Sequence, residues 1–207
     1  MGQYWNLVCW DTQQKSRSLG KLGEFFYECS CDDYIIDTLS WQGCRIACIG
    51  DYTDEVPDPL TRAGVKVKLE ADETFYRYVD DNFQEISRDM IRKIWKPKMV
   101  ERAMTGEEED LAEFVVLNES RQEYVVTNRR DFTKVILSLI CWSDDPSVSM
   151  NTDYEIYRGP WAWDRISILS KGELELVAAG CKDITERIYR LVRNIVKEDA
   201  GEEFPSE

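Results

Sequence analysis

One short block occurs twice in this chain. Trp41-Gln42-Gly43-Cys44-Arg45-Ile46 and Trp161-Ala162-Trp163-Asp164-Arg165-Ile166 share Trp-x-x-x-Arg-Ile, and each leads into an apolar segment. After the first block, Cys44, Ile46 and Cys48 alternate with Arg45, Ala47 and Ile49, as residues on the two faces of a strand do. Upstream of each block lie an apolar run, a polar turn and a helical stretch in the same order. Downstream, each half closes with an amphipathic helix. The separation from Asp11 to Trp41 and from Asn118 to Trp161 differs, so a repeat needs an insertion of about 13 residues in the second half. The expectation is an α+β fold, with α/β as the alternative. Two related strand–turn–strand–helix–strand units would pack about a pseudo-two-fold axis, with Arg45 and Arg165 at related positions.

The elements around the blocks follow from periodicity. Tyr4–Trp10 reads as a strand and Asp11–Lys15 as a turn, with short helices near residues 24–29 and 34–39. Gly50–Pro59 reads as loop, and Val65–Leu69 alternates as a half-exposed strand does. Phe75, Val79, Phe83, Ile86, Met90 and Ile94 recur at spacings of three and four, which predicts one long helix capped by Asp72 or Thr74 and ended by Pro97. In the second half, Phe114–Leu117 and Glu123–Thr127 read as strands about a turn at Asn118–Arg121. Asp131–Trp142 reads as a buried helix, with a buried strand as the alternative. A strand follows to Leu169, and a helix begins at Asp183 with Glu186 completing a capping box. This divides the chain into a first unit (1–97), an acidic connection (98–112), a second unit (113–198) and an acidic tail (199–207).

Composition narrows the chemistry. The 207 residues contain no histidine, which excludes Ser-His-Asp and Cys-His nucleophiles and histidine-ligated zinc. Forty acids against 26 bases give a net charge of −14, which argues against a nucleic-acid partner, since such affinity comes from neutralising phosphates. Basic residues gather only around Trp95 (Arg88, Arg92, Lys93, Lys96, Lys98 and Arg102), where the polar face of a helix explains them. No window reaches the ~18 apolar residues of a membrane span. Seven cysteines, an odd number, and a start unlike a signal peptide predict reduced thiols and a cytoplasmic protein. Gly2 invites myristoylation, but Asn6 stands where that motif wants Ser or Thr.

Several motifs together resemble a known family. Met1-Gly2-Gln3-Tyr4-Trp5, then Lys21-Leu22-Gly23-Glu24, then Trp41 to Tyr52 with its Gly50-Asp51-Tyr52, are similar to a family of fungal and bacterial proteins without established activity. Its members open with Met-Gly-Gln-Tyr-Tyr or Met-Gly-Gln-Tyr-Trp and carry Trp-x-Gly-x-Arg-Ile followed by Gly-Asp-Tyr. The block at Trp161 resembles their C-terminal half, with Trp163 where glycine is more usual. The resemblance implies relatedness and cytosolic residence, and it lends no catalytic residues.

Two functions from different classes fit the residues. The first is a non-catalytic binding or interaction module, its small-molecule or protein ligand held between the units by Trp41, Arg45, Asp51, Tyr52, Trp161, Trp163 and Arg165. Arginines would grip an acidic or carbonyl group and indoles an apolar face. The second is a carboxylate-dependent enzyme in which Asp51, Asp54 and Glu55, with Asp164, hold a divalent ion or act as acid and base. No cofactor is predicted beyond that candidate divalent metal. A four-thiolate zinc site from Cys29, Cys31, Cys44 and Cys48 is weaker, because Cys44 and Cys48 lie on an apparent buried strand.

Overall fold

A computed structural model describes residues 3–18, 20–22, 41–86, 113–146, 156–170, 173–174 and 179–199. The apolar run at the start forms β1 (Trp5–Cys9), buried along its whole length. Residues 10–13 turn the chain into β2 (Gln14–Ser16), which pairs antiparallel with β1. The segment read as a plain turn to Lys15 therefore already contains a strand. β3 (Cys44–Gly50) lies on the other side of β1, antiparallel, with Trp5 opposite Gly50 and Cys9 opposite Ile46.

The expected long helix from Phe75 stops early. α1 (Asp58–Arg62) first interrupts the expected loop, with proline in its first turn where the missing N–H costs nothing. Val65–Leu69 keeps its alternating exposure but pairs with no strand among the described residues. α2 (Phe75–Asn82) then starts on Thr74, whose hydroxyl accepts the Arg77 N–H, and ends at Phe83 in extended geometry. Gln84–Ile86 leaves the helix as β4, parallel to β2, with the Gln84 N–H on Gln13 O. The helical spacing of Phe83 and Ile86 was a coincidence of two buried positions in different elements. Residues 87–94 lie outside the described part, as do the helices expected at 24–29 and 34–39.

The second half repeats the pairing of the first. β5 (Glu113–Asn118) and β6 (Glu123–Asn128) form a hairpin around residues 119–122. α3 (Arg129–Ile140) follows, capped by Asn128 accepting from the Asp131 N–H. The expected helix to Trp142 ends two residues sooner, since Cys141–Trp142 is β7, parallel to β3. β8 (Arg165–Ser170) runs antiparallel to β5, with Asn118 opposite Ile166. β9 (Lys182–Asp183) is parallel to β6, with the Lys182 N–H on Gln122 O. α4 (Thr185–Asp199) starts two residues later than expected because Asp183 belongs to β9; its carboxylate accepts the Thr185 N–H.

The resulting sheet, an α+β arrangement, has the order β4-β2-β1-β3-β8-β5-β6-β9, with β7 added beside β3. One face packs under α3 and α4, where Val135, Ile136, Ile188 and Ile195 meet Leu7, Cys48, Val116 and Ile166. The other face carries a smaller cluster in which Leu60, Phe75 and Val79 cover Val8, Ala47 and Ile49. Each Val, Leu, Ile or Phe among them stabilises by about 1.5–3 kcal/mol on removal from water, so both faces hold the central strands in register. No described helix is long and apolar enough to cross a membrane.

Candidate functional site

β3 and β8 touch only at their first residues. Cys44 pairs with Ile166, and Arg45 is the direct partner of Arg165. Around this crossing the contacts of one half recur in the other. The Gly43 N–H bonds Ile166 O at 2.9 Å, and the Trp163 N–H bonds Ile46 O at 2.8 Å. The Trp10 N–H bonds Arg45 O, and the Glu119 N–H bonds Arg165 O. The Trp41 indole donates to Gln14 and the Trp161 indole to Glu123, each at 2.9 Å and each to the first residue of a hairpin's second strand. Gln13 and Gln122, closing the two hairpin loops, both take positive φ, at 51° and 54°. These matches set Asp11 against Ser120, each of which accepts the main-chain N–H of its half's arginine.

Two guanidiniums on opposed residues of an antiparallel pair repel unless something negative lies between them. Asp11 supplies it from the tip of the first hairpin. Its Oδ2 accepts the Arg45 N–H at 2.7 Å, and its Oδ1 lies 3.3 Å from Arg45 Nη1 and 3.3 Å from Arg165 Nη2. Arg165 also donates from Nη1 to Gly43 O at 2.6 Å. In the second half Ser120 stands where Asp11 stands in the first, its hydroxyl accepting the Arg165 N–H at 3.0 Å. The Arg45, Arg165 and Asp11 side chains keep 21%, 40% and 26% of their surface exposed. A ligand can therefore reach the cluster, which is still shielded enough for its charges to matter.

The three candidate tryptophans serve the core instead. Trp41, Trp161 and Trp163 are at most 1% exposed and offer a ligand no surface. Trp163 adopts φ 69° where its counterpart Gly43 has φ 66°. That conformation costs a non-glycine residue about 1–2 kcal/mol. The indole offsets it by packing edge-on against Trp10 and Phe75, with ring centroids 6.4 and 5.7 Å away.

Of the remaining candidates, Asp51, Tyr52, Asp54 and Glu55 lie away from this crossing, whereas Asp164 borders it, its carbonyl accepting the Ile46 N–H. Asp51 and Tyr52 follow the far end of β3, about 20 Å of strand from Arg45. Asp51 does not pair with Arg45; its Oδ1 accepts the Tyr4 N–H, and burial raises its pKa. Asp54 and Glu55 give their N–H groups to Asp144 Oδ2, at 2.8 and 3.0 Å, while Asp144 Oδ1 takes Arg158 at 2.6 Å. Tyr52, Asp54, Asp144, Asp145 and Pro146 line an open cleft of about 490 Å³ there. Asp164 is at the opposite end, taking Arg121 at 2.6 Å and Asn118 at 2.9 Å. The four carboxylates proposed as a metal or acid–base set are thus split between two ends of the sheet. No cluster of three or more metal-ligating side chains occurs among the described residues.

The thiols fare similarly. Cys44 and Cys48 are four residues apart on one strand, about 13 Å, too far for one zinc ion with bonds of about 2.3 Å. Cys29 and Cys31 lie outside the described residues, as do Gly2, the 98–112 connection, the basic residues about Trp95 and the tail after Asp199. The Cys44 thiol instead meets that of Cys9. Burial, the leading cause, pushes Cys9 up to about 12 and also raises Cys44. Neither is a ready nucleophile.

Sequence reading missed Asp11 and Ser120, since each looked like an ordinary turn residue. The usable signal was the equal spacing from each apolar strand to its polar tip. Comparison of the chain with protein-family models, curated proteins and solved structures finds no match, so the motif resemblance rests on the residues alone.

Proposed function

We propose that this protein is a non-catalytic binding module of two related units about a pseudo-two-fold axis. Its ligand or partner presents an anionic group to Arg45 and Arg165 where the units meet. The observation that carries this reading is the register of β3 on β8, which sets the two arginines opposite one another with Asp11 as the one carboxylate that reaches both guanidiniums among the described residues. Arginine suits such a role because its planar fork stays charged and binds oxyanions through two parallel N–H bonds. The carboxylate enzyme has no comparable support, as Asp51, Asp54 and Glu55 are remote from Asp164.

The test is titration of the folded protein with propionate and with inorganic phosphate at fixed ionic strength, read on the arginine side-chain N–H signals by NMR. Saturable shifts at Arg45 and Arg165 are expected with at least one anion. Affinity should fall tenfold or more in Arg45→Gln and Arg165→Gln. An absence of saturable shifts with both anions, or equal binding by the folded variants, sinks the reading.

A further inference from the structure

We infer that the arginine pair carries a carboxylate subsite beside Ser120, the counterpart of the place Asp11 fills in the first half. The inference rests on the anion-binding reading above and adds the ligand's class and position. The chain itself displays the recognition. One oxygen of Asp11 takes a main-chain N–H at the start of β3, and the other lies within reach of both guanidiniums. At the start of β8 the same main-chain N–H meets only the short Ser120 hydroxyl. An exposed hairpin-tip serine that accepts one hydrogen bond has a proton left to donate, and it donates to no partner among the described residues. Among the described residues the Arg45 side chain makes a single polar contact, at 3.3 Å, which leaves further N–H donors for a ligand.

Charge selects the class. Within the ion-paired set itself, two guanidiniums and the Asp11 carboxylate leave one positive charge, which a monoanion neutralises. A dianion overshoots, beside exposed Glu119 and in a chain of net charge −14. The ligand group is therefore a carboxylate from a small organic acid or from an acidic peptide, with Asp11 as its in-chain competitor. Ser120→Asp would build the group into the protein and close the subsite, whereas Asp11→Asn would remove the competitor.

The experiment repeats the NMR titration on wild type, Ser120→Asp, Ser120→Ala and Asp11→Asn, with propionate, a glutamate-rich peptide and inorganic phosphate. Propionate is expected to bind wild type more tightly than phosphate does. It should bind Ser120→Ala several-fold more weakly, Asp11→Asn several-fold more tightly, and Ser120→Asp at least tenfold more weakly. Ser120→Asp should also unfold at higher denaturant. Tighter binding of the peptide than of propionate supports a peptide source, and equal binding supports a small acid. Phosphate binding that exceeds propionate binding upholds the arginine reading but overturns the carboxylate subsite. Unchanged propionate affinity in Ser120→Ala overturns it too, even if Ser120→Asp fails to fold. No binding of any anion defeats the arginine reading itself.

Discussion

The two hairpin-and-tryptophan halves share their hydrogen-bond skeleton but differ at the three positions that matter most. Gly43 corresponds to Trp163, Asp11 to Ser120, and Gln14 to Glu123 as acceptor of a buried indole. The skeleton is main-chain geometry, which many sequences satisfy. The differences fall on side chains, where one half has a core anchor and the other a carboxylate. A repeated backbone can thus hold unlike chemistry at equivalent places, and the crossing of β3 with β8 brings those unlike places together.

The largest difference between the halves is at Trp163. Trp163→Gly restores the residue found in the other half and relieves the backbone, yet it empties the pocket between Trp10 and Phe75. A net loss of about 2–4 kcal/mol in chemical denaturation is expected, less than the 3–5 of an ordinary buried tryptophan. A stabilised variant would mean that backbone strain outweighs packing there. The reciprocal change is smaller. Gly43→Ala should cost about 1–2 kcal/mol through φ 66° alone, since the nearest atom to an added Cβ is a Glu119 carboxylate oxygen at 3.4 Å.

The two buried indoles also differ in what they bond. Trp161→Phe strips a bond to a carboxylate and Trp41→Phe a bond to an amide, so losses of about 2 and about 1 kcal/mol are expected beyond the shared change in packing. Equal losses would deny the difference between Glu123 and Gln14.

Titration gives a third contrast, between Cys9 of the first hairpin and Asn118, its counterpart in the second. A thiol whose folded pKa is raised holds its proton longer in the native state. Its stabilisation is complete below the unfolded value near 8.5 and is lost as pH rises toward about 12. Wild type should therefore lose stability above about pH 8.5 more steeply than Cys9→Ala, as measured by denaturation between pH 7 and 10. Matching slopes would argue against a buried thiol. The smallest effect concerns Asp51, raised by burial. Its contribution is present below its unfolded pKa near 3.9 and is lost as pH climbs through the folded value, so the ionised group is a burden at pH 7. Asp51→Asn keeps an acceptor for the Tyr4 N–H and should be as stable as wild type at pH 7 or slightly more so. A clear loss would show that the charge itself holds Tyr4.

Much of this was legible before folding, for a simple reason. Strand alternation from Cys44, the paired Trp-x-x-x-Arg-Ile blocks and the buried spacing of Val135, Ile136, Leu139 and Ile140 all express local periodicity. Periodicity survives in a linear chain. It also misled where two buried positions at helical spacing, Phe83 and Ile86, belong to a helix end and a strand. Only the partner strand β2 distinguishes those cases, through the Gln84 N–H on Gln13.

The candidate site divides along the same line. Sequence alone singled out Arg45 and Arg165 as related residues, and it set the absence of histidine and the net charge of −14 that restrict the chemistry. It could not tell that Trp163 is core and not a ligand wall, because an indole's burial depends on Trp10 and Phe75, distant in the chain. Nor could it give Asp11 and Ser120 a role, even though their spacing from each apolar strand is equal. A turn residue acquires meaning only when a strand from elsewhere, here β3 or β8, places a main-chain N–H and a guanidinium beside it. Periodicity decides which face is buried; tertiary register alone decides which charges meet.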